Sequence, residues 1–120
     1  MTKEEIIKKL DSLELDRCQY IVIGDASLVC QGILDETLDI DLSCDKTYYN
    51  LITWDTKIGN LGNEIKYYDC FKIEYDFYDV NHTIEIDGYL FADIEACYEL
   101  KKLENSKDKK LLKKLELMVC

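Results

Sequence analysis

The segment Leu38-Asp39-Ile40-Asp41-Leu42 alternates apolar and acidic side chains without exception. Successive side chains of a strand point to opposite faces, so this period of two commits the segment to a β-strand with one apolar and one carboxylate face. Such a strand needs a layer that buries Ile40 and Leu42, which forces Asp39 and Asp41 together onto the other face. Tyr20-Ile21-Val22-Ile23 is apolar at every position and ends at Gly24, the pattern of a buried strand. The two segments are expected to be adjacent central strands, with Gly24 at a strand-to-helix turn near Asp39.

The remaining pattern supplies helices and further strands. Thr2 and Glu5 form a capping-box pair, and Ile6, Ile7, Leu10 and Leu13 recur at helical spacing, which predicts a helix over residues 3–13. Ala26 to Gln31 reads as a short helix stopped by Gly32. Tyr48, Leu51, Ile52 and Ile58 predict a helix ending at Gly59, with Trp54 packed on it, and Gly62-Asn63 marks a turn before a strand over Glu64 to Tyr68. Phe71 to Tyr78 alternates again, with Phe71, Ile73, Tyr75 and Phe77 on one face and Lys72, Glu74, Asp76 and Tyr78 on the other. Thr83 to Ile86 is a short strand closed by the hairpin turn Asp87-Gly88. The pattern is helical from Asp93 through Leu103, and Ser106 is expected to cap a last helix with Leu111, Leu112, Leu115 and Met118 inward. This order of elements predicts an α/β (α+β) fold, a mixed β-sheet with helices packed on it. With 120 residues, no internal repeat and no linker, the chain reads as a single domain over 1–120.

Charge and composition narrow the function classes. The formal charge is −10, from 25 acidic and 15 basic residues, which disfavours a large nucleic-acid surface because phosphate binding needs a basic footprint. The distribution is uneven: residues 18–100 carry four basic and seventeen acidic side chains, whereas residues 101–120 carry seven lysines and three acids. The C-terminal segment is thus the one basic surface, read most simply as a solvated helix face. Six cysteines without any CxxC pair argue against zinc and read as reduced, space-filling thiols, and a single histidine, His82, offers no pair for metal or base chemistry. The nine tyrosines read as half-buried sheet residues. No apolar run approaches the ~20 residues needed to cross a bilayer, and the acidic start is unlike a signal peptide, so a cytoplasmic protein is expected.

Residues i and i+2 of a strand share a face, so Asp39 and Asp41 place two carboxylates ~6–7 Å apart at their Cα atoms. Magnesium prefers a few carboxylate oxygens together with water and substrate phosphates, and two such groups on a strand suit it. A third carboxylate from a neighbouring strand, Asp76 or Glu74, would complete a site for phosphoryl or nucleotidyl transfer. The order strand, Gly24, short helix with Gly32, Thr37 and Asp39-Ile40-Asp41-Leu42 resembles the nucleotidyltransferase superfamily, in particular its compact bacterial branch of abortive-infection toxins and minimal nucleotidyltransferases. Asp93 to Lys102 followed by Asn105-Ser106-Lys107-Asp108 is similar to that family's lysine-containing helix and Arg-x-Lys-Asp segment, so the resemblance spans about residues 18–118. It implies a nucleotidyltransferase-like sheet and magnesium- or manganese-dependent transfer of a nucleotidyl group from an NTP to an acceptor, in a toxin or phage-defence setting. It also implies Asp39, Asp41 and Asp76 as catalytic metal ligands, with Asp76 preferred to Glu74 because it precedes an apolar pair. Gly24 and Ser27 would then form the nucleotide-binding turn, and Lys107 would contact phosphate.

The sequence departs from that family at three places. Asp25 stands where a second glycine or a serine is usual, Asp35 and Glu36 precede Thr37 where a basic residue is frequent, and the arginine of the C-terminal motif is missing. With the net negative charge, these departures support an alternative, a catalytically degenerate acidic interaction module. A small mobile-element inhibitor that presents carboxylates to a basic nucleic-acid-binding protein would be one such module.

Overall fold

The computed structural model describes the chain apart from Leu61, residues 76–79, Asn105 and Cys120. Helix α1 (Lys3–Ser12) begins at the expected capping box, in which the Glu5 N–H donates to Thr2 Oγ1 and the Thr2 N–H donates to the Glu5 carboxylate. Strand β1 (Tyr20–Ile23) is buried at every residue and runs directly into α2 (Gly24–Cys30). β2 (Ile40–Cys44) leads to α3 (Lys46–Leu51), capped by the Asp45 side chain. There follow β3 (Asp55–Ile58), β4 (Glu64–Tyr68), β5 (Phe71–Tyr75), β6 (Thr83–Ile86) and β7 (Tyr89–Ala92). Asp87 and Gly88 both take positive φ, the turn geometry that joins β6 to β7. α4 (Ile94–Leu103), capped by Asp93, and α5 (Lys109–Val119) complete the described structure.

The seven strands form one sheet in the order β3-β4-β5-β2-β1-β7-β6. β1 and β2 are antiparallel neighbours at its centre, while β2 pairs with β5 and β1 with β7 in parallel. Each face carries its own helical layer. On one side Ile6 and Leu10 of α1 and Tyr49 of α3 pack with Val22, Ile40, Leu42, Phe71, Ile73 and Phe91. On the other, Cys97 and Leu100 of α4 and Leu111 and Leu115 of α5 pack with Ile21, Ile23 and Ala92. α2 contributes Ala26 and Val29 to the first layer and Leu28 to the second, which wedges it at the end of β1. The expectation of a mixed sheet with helices packed on it is met, with Ile40 and Leu42 fully buried in the first layer.

Four local expectations are corrected. The helix expected to reach Gly59 stops at Leu51, and Asp55–Ile58 is instead an edge strand whose four residues are all exposed. Trp54 therefore lies in a bend between α3 and β3, with its ring 5.4 Å from that of Tyr68 and 6.3 Å from that of Phe71. Leu38 is 94% exposed and precedes β2 rather than sharing the inward face of Ile40 and Leu42. The last helix is held at its start by Asp108, whose carboxylate accepts the Leu111 N–H, while Ser106 Oγ accepts the Asp108 N–H one turn earlier. On that helix Leu111 and Leu115 are buried and Met118 is exposed.

Candidate active site

The second helical layer covers only part of its face of the sheet. In the antiparallel pairing Ile23 lies opposite Asp41 and Ile21 opposite Ser43, so Asp41 shares a face with the residues under α4 and α5. Those helices pack on β1 and β7, and the face over β2, β5 and β4 is left as a cleft of about 410 Å³. Asp41, Lys72, Glu74, Asn63 and Tyr67 line it from the sheet side, and Glu104 and Ser106 from the segment after α4. A second, more apolar hollow of about 460 Å³ is bordered by Gly24, Ile23, Cys97, Leu100 and Leu103. His82 stands there with Nδ1 3.3 Å from the Asp93 carboxylate.

The turn from β1 into α2, expected near Asp39, lies against Asp41. Gly24 takes φ +65, and a Cβ placed on it would lie 3.3 Å from Asp41 Oδ2. Glycine is required on both counts, because a side chain would be strained in the left-handed region and would crowd the carboxylate. Asp41 is half-buried, and its Oδ1 is buried without a hydrogen-bond partner. Burial, and next the charge of Asp39, push its carboxyl from 3.8 up to about 7. Thr37 Oγ1 donates to the Asp39 carbonyl at 3.3 Å and helps fix the approach to β2.

The parallel register of β2 and β5 sets Lys72 beside Asp41 and Glu74 beside Ser43. Lys72 Nζ reaches Asp39 Oδ2 at 2.7 Å, an ion pair that raises the lysine above its ordinary pKa. Asp39 and Asp41 thus border one site rather than opposite faces. Glu74 accepts a hydrogen bond from Asn63 Nδ2, and burial pushes its carboxyl up to about 7. Asp76, expected as the third carboxylate, lies outside the described residues.

The other expected contacts divide. Ser27 is fully buried, its Oγ donating to the Ala92 carbonyl at 2.7 Å and accepting from Gln31 Nε2 at 2.9 Å, so this hydroxyl ties α2 to β7. Lys107 is exposed, next in sequence to the cleft residue Ser106. Asp25 is not left to repel an incoming anion, because the nearly buried Lys101 holds it at 2.5 Å. Lys72 and Lys101 are the functional candidates that sequence reasoning missed. Lys72 stood on the correct strand face by alternation, but its partner depended on the β2–β5 register, and no local pattern links Lys101 to Asp25 across the chain.

The molecule is similar throughout its length to the crystal structure of a Thermotoga maritima protein described as a "putative nucleotidyltransferase". The match has a TM-score of 0.56 at 19% identity and covers 95% of this chain and 94% of the other. The chain has a nucleotidyltransferase fold. No protein-family model matches the sequence, and no curated protein matches it significantly.

Within this nucleotidyltransferase fold the donor set can be tested for a metal ion. Among the described residues no group of three or more histidines, cysteines, aspartates or glutamates is arranged to hold one. The two carboxylates nevertheless fit a hard cation. Asp41 presents a buried oxygen without a partner, Asp39 stands close enough to raise its proton affinity, and the space beside Asp41 Oδ2 is kept open by Gly24. Among the described residues no helix is long and apolar enough to cross a membrane.

Proposed function

We propose that the protein is a divalent-cation-dependent nucleotidyltransferase that moves a nucleotidyl group from an NTP to an acceptor bound at the cleft. The observation that carries this reading is Asp41: a half-buried carboxylate with one buried, unpartnered oxygen, paired with Asp39 and abutting a left-handed glycine at a helix start. Asp39 and Asp41 would hold magnesium or manganese, with Asp76 as the third carboxylate by resemblance, and the ion supplies neutralisation of charge on the triphosphate.

The chain's own residues supply the rest. Gly24 allows phosphate oxygens to approach the backbone at the start of α2 without meeting a side chain. Lys101 offsets the charge of Asp25 on the same turn, and Lys107, next in sequence to Ser106 of the other wall, would contact phosphate by resemblance. In the metal-free protein near neutral pH, Asp41 holds a proton for part of the time, and that proton must leave when a cation is bound. In the transfer itself an acceptor oxygen forms a new bond to the α-phosphorus and pyrophosphate leaves. The acidic centre of the chain favours a small-molecule or protein acceptor over a large RNA. The toxin or phage-defence setting belongs to this reading through the sequence resemblance.

A second reading is favoured by the Lys72–Asp39 ion pair, in which an ammonium already neutralises one of the two ligands. On that reading the domain is an acidic interaction module for a basic nucleic-acid-binding protein. Calorimetric titration with a non-hydrolysable ATP analogue, and then with analogues of the other NTPs, separates the two. The enzyme binds one of them only with Mn²⁺ present and loses it in Asp39→Asn, whereas the module binds none.

A further inference from the structure

Lys72 sits at the point where the proposed site must accept a cation. Its side chain shares the face of Asp41 through the β2–β5 register, and its Nζ lies 2.7 Å from Asp39 Oδ2. A divalent ion bound to that oxygen is repelled by an ammonium at hydrogen-bond distance, because two like charges would stand a few ångströms apart. The repulsion is relieved when one of them leaves.

The geometry allows the lysine to be the one that leaves. Lys72 and Asp39 are 38% and 37% exposed, so water reaches both partners and screens the pair, which makes it cheap to break. The lysine stem is long and flexible, and the ring of Tyr67, with its centroid already 5.9 Å from Nζ, is a contact the ammonium can keep when it leaves Asp39. The cleft that Lys72 borders, at about 410 Å³, has room for the head group to turn outward. An ammonium freed there faces the volume that the phosphates of a nucleotide would fill, and its three donors suit them.

We infer that Lys72 is a displaceable internal counter-ion, which holds Asp39 in the nucleotide-free protein and passes to the polyphosphate when a divalent cation takes Asp39. This rests on the nucleotidyltransferase reading and adds to it an exchange of partners that keeps the site's charge balanced before and after binding. The exchange gives one residue two effects of opposite sign. Lys72 opposes the metal alone and favours the nucleotide.

The test uses the free-Mn²⁺ electron paramagnetic resonance signal to measure metal binding to wild type, Lys72→Met and Lys72→Arg, followed by titration of a non-hydrolysable ATP analogue at saturating Mn²⁺. Lys72→Met is expected to bind Mn²⁺ alone about tenfold more tightly than wild type and the analogue about tenfold more weakly, each ~1.4 kcal/mol. Lys72→Arg, which keeps the charge, should stay near wild type in both. Circular dichroism checks folding, and Lys72→Gln replaces the methionine variant if that one does not fold. If wild type binds Mn²⁺ and the analogue but loss of the charge leaves Mn²⁺ affinity unchanged or weaker, the counter-ion exchange is overturned while the active-site reading stands. If wild type binds neither, both are overturned.

Discussion

Replacing Asp41 by Asn removes a carboxylate that the fold keeps protonated up to about pH 7, and the effect on stability should reverse ordinary expectation. Burial and the neighbouring Asp39 raise the Asp41 carboxyl from 3.8 to about 7, and burial raises Glu74 from 4.5 to about 7. A folded-state pKa above the unfolded value means that the native protein binds more protons through this window. The stabilisation is therefore complete below about pH 4 and lost as the pH rises through about 7. Three pKa units correspond to a ceiling of ~4 kcal/mol, and with Lys72 and solvent nearby ~1–2 kcal/mol is the expected share at pH 8. For a chain of this length that is ~4–8 °C in Tm. Calorimetric melting in chelator at pH 4.5, 6 and 8 should show wild type losing stability with rising pH and Asp41→Asn losing less. The variant should be the more stable protein at pH 8 and close to wild type at pH 4.5. An Asn variant that melts at or below wild type at pH 8, or that differs equally at both extremes, would refute the claim that Asp41 is a strained carboxylate.

Three further substitutions probe separate links. Gly24→Ala should cost ~1–2 kcal/mol in denaturant unfolding, from the left-handed backbone and the 3.3 Å approach to Asp41, and should weaken Mn²⁺ binding as well. Ser27→Ala should cost ~1 kcal/mol through lost hydrogen bonds to Ala92 and Gln31 while leaving nucleotide affinity unchanged in the same titration. Leu38→Ser should move urea stability by no more than ~0.5 kcal/mol, whereas Ile40→Ser, two residues on and fully buried, should cost several-fold more.

The last contrast shows where the sequence was legible and where it was not. Alternation located the strand and the face of Asp41, because burial of Ile40 and Leu42 leaves no other register. It also extended the apolar face to Leu38, which lies before the strand begins and so has no sheet to pack on. The capping box of α1, the Gly24 turn and the Asp87-Gly88 hairpin could be read because each depends on residues adjacent in sequence. β3 could not, since an edge strand with all four residues exposed has no inward face to mark its period. The site's cations were hidden for a related reason. Lys72 meets Asp39 only through the parallel pairing of β2 and β5, and Lys101 meets Asp25 only because α4 packs back beside α2. Asp25 alone therefore looked like an obstacle to a phosphate, although in the fold its charge is already matched.

The most direct test of the central claim is an anomalous difference map from crystals soaked in Mn²⁺ and a non-hydrolysable NTP. The expected result is a metal peak at ~2.0–2.3 Å from carboxylate oxygens of both Asp39 and Asp41, with phosphate density against Gly24 and Lys72 Nζ withdrawn from Asp39. A map with no metal peak at the pair, and with Lys72 still bonded to Asp39 at saturating nucleotide, would contradict the account.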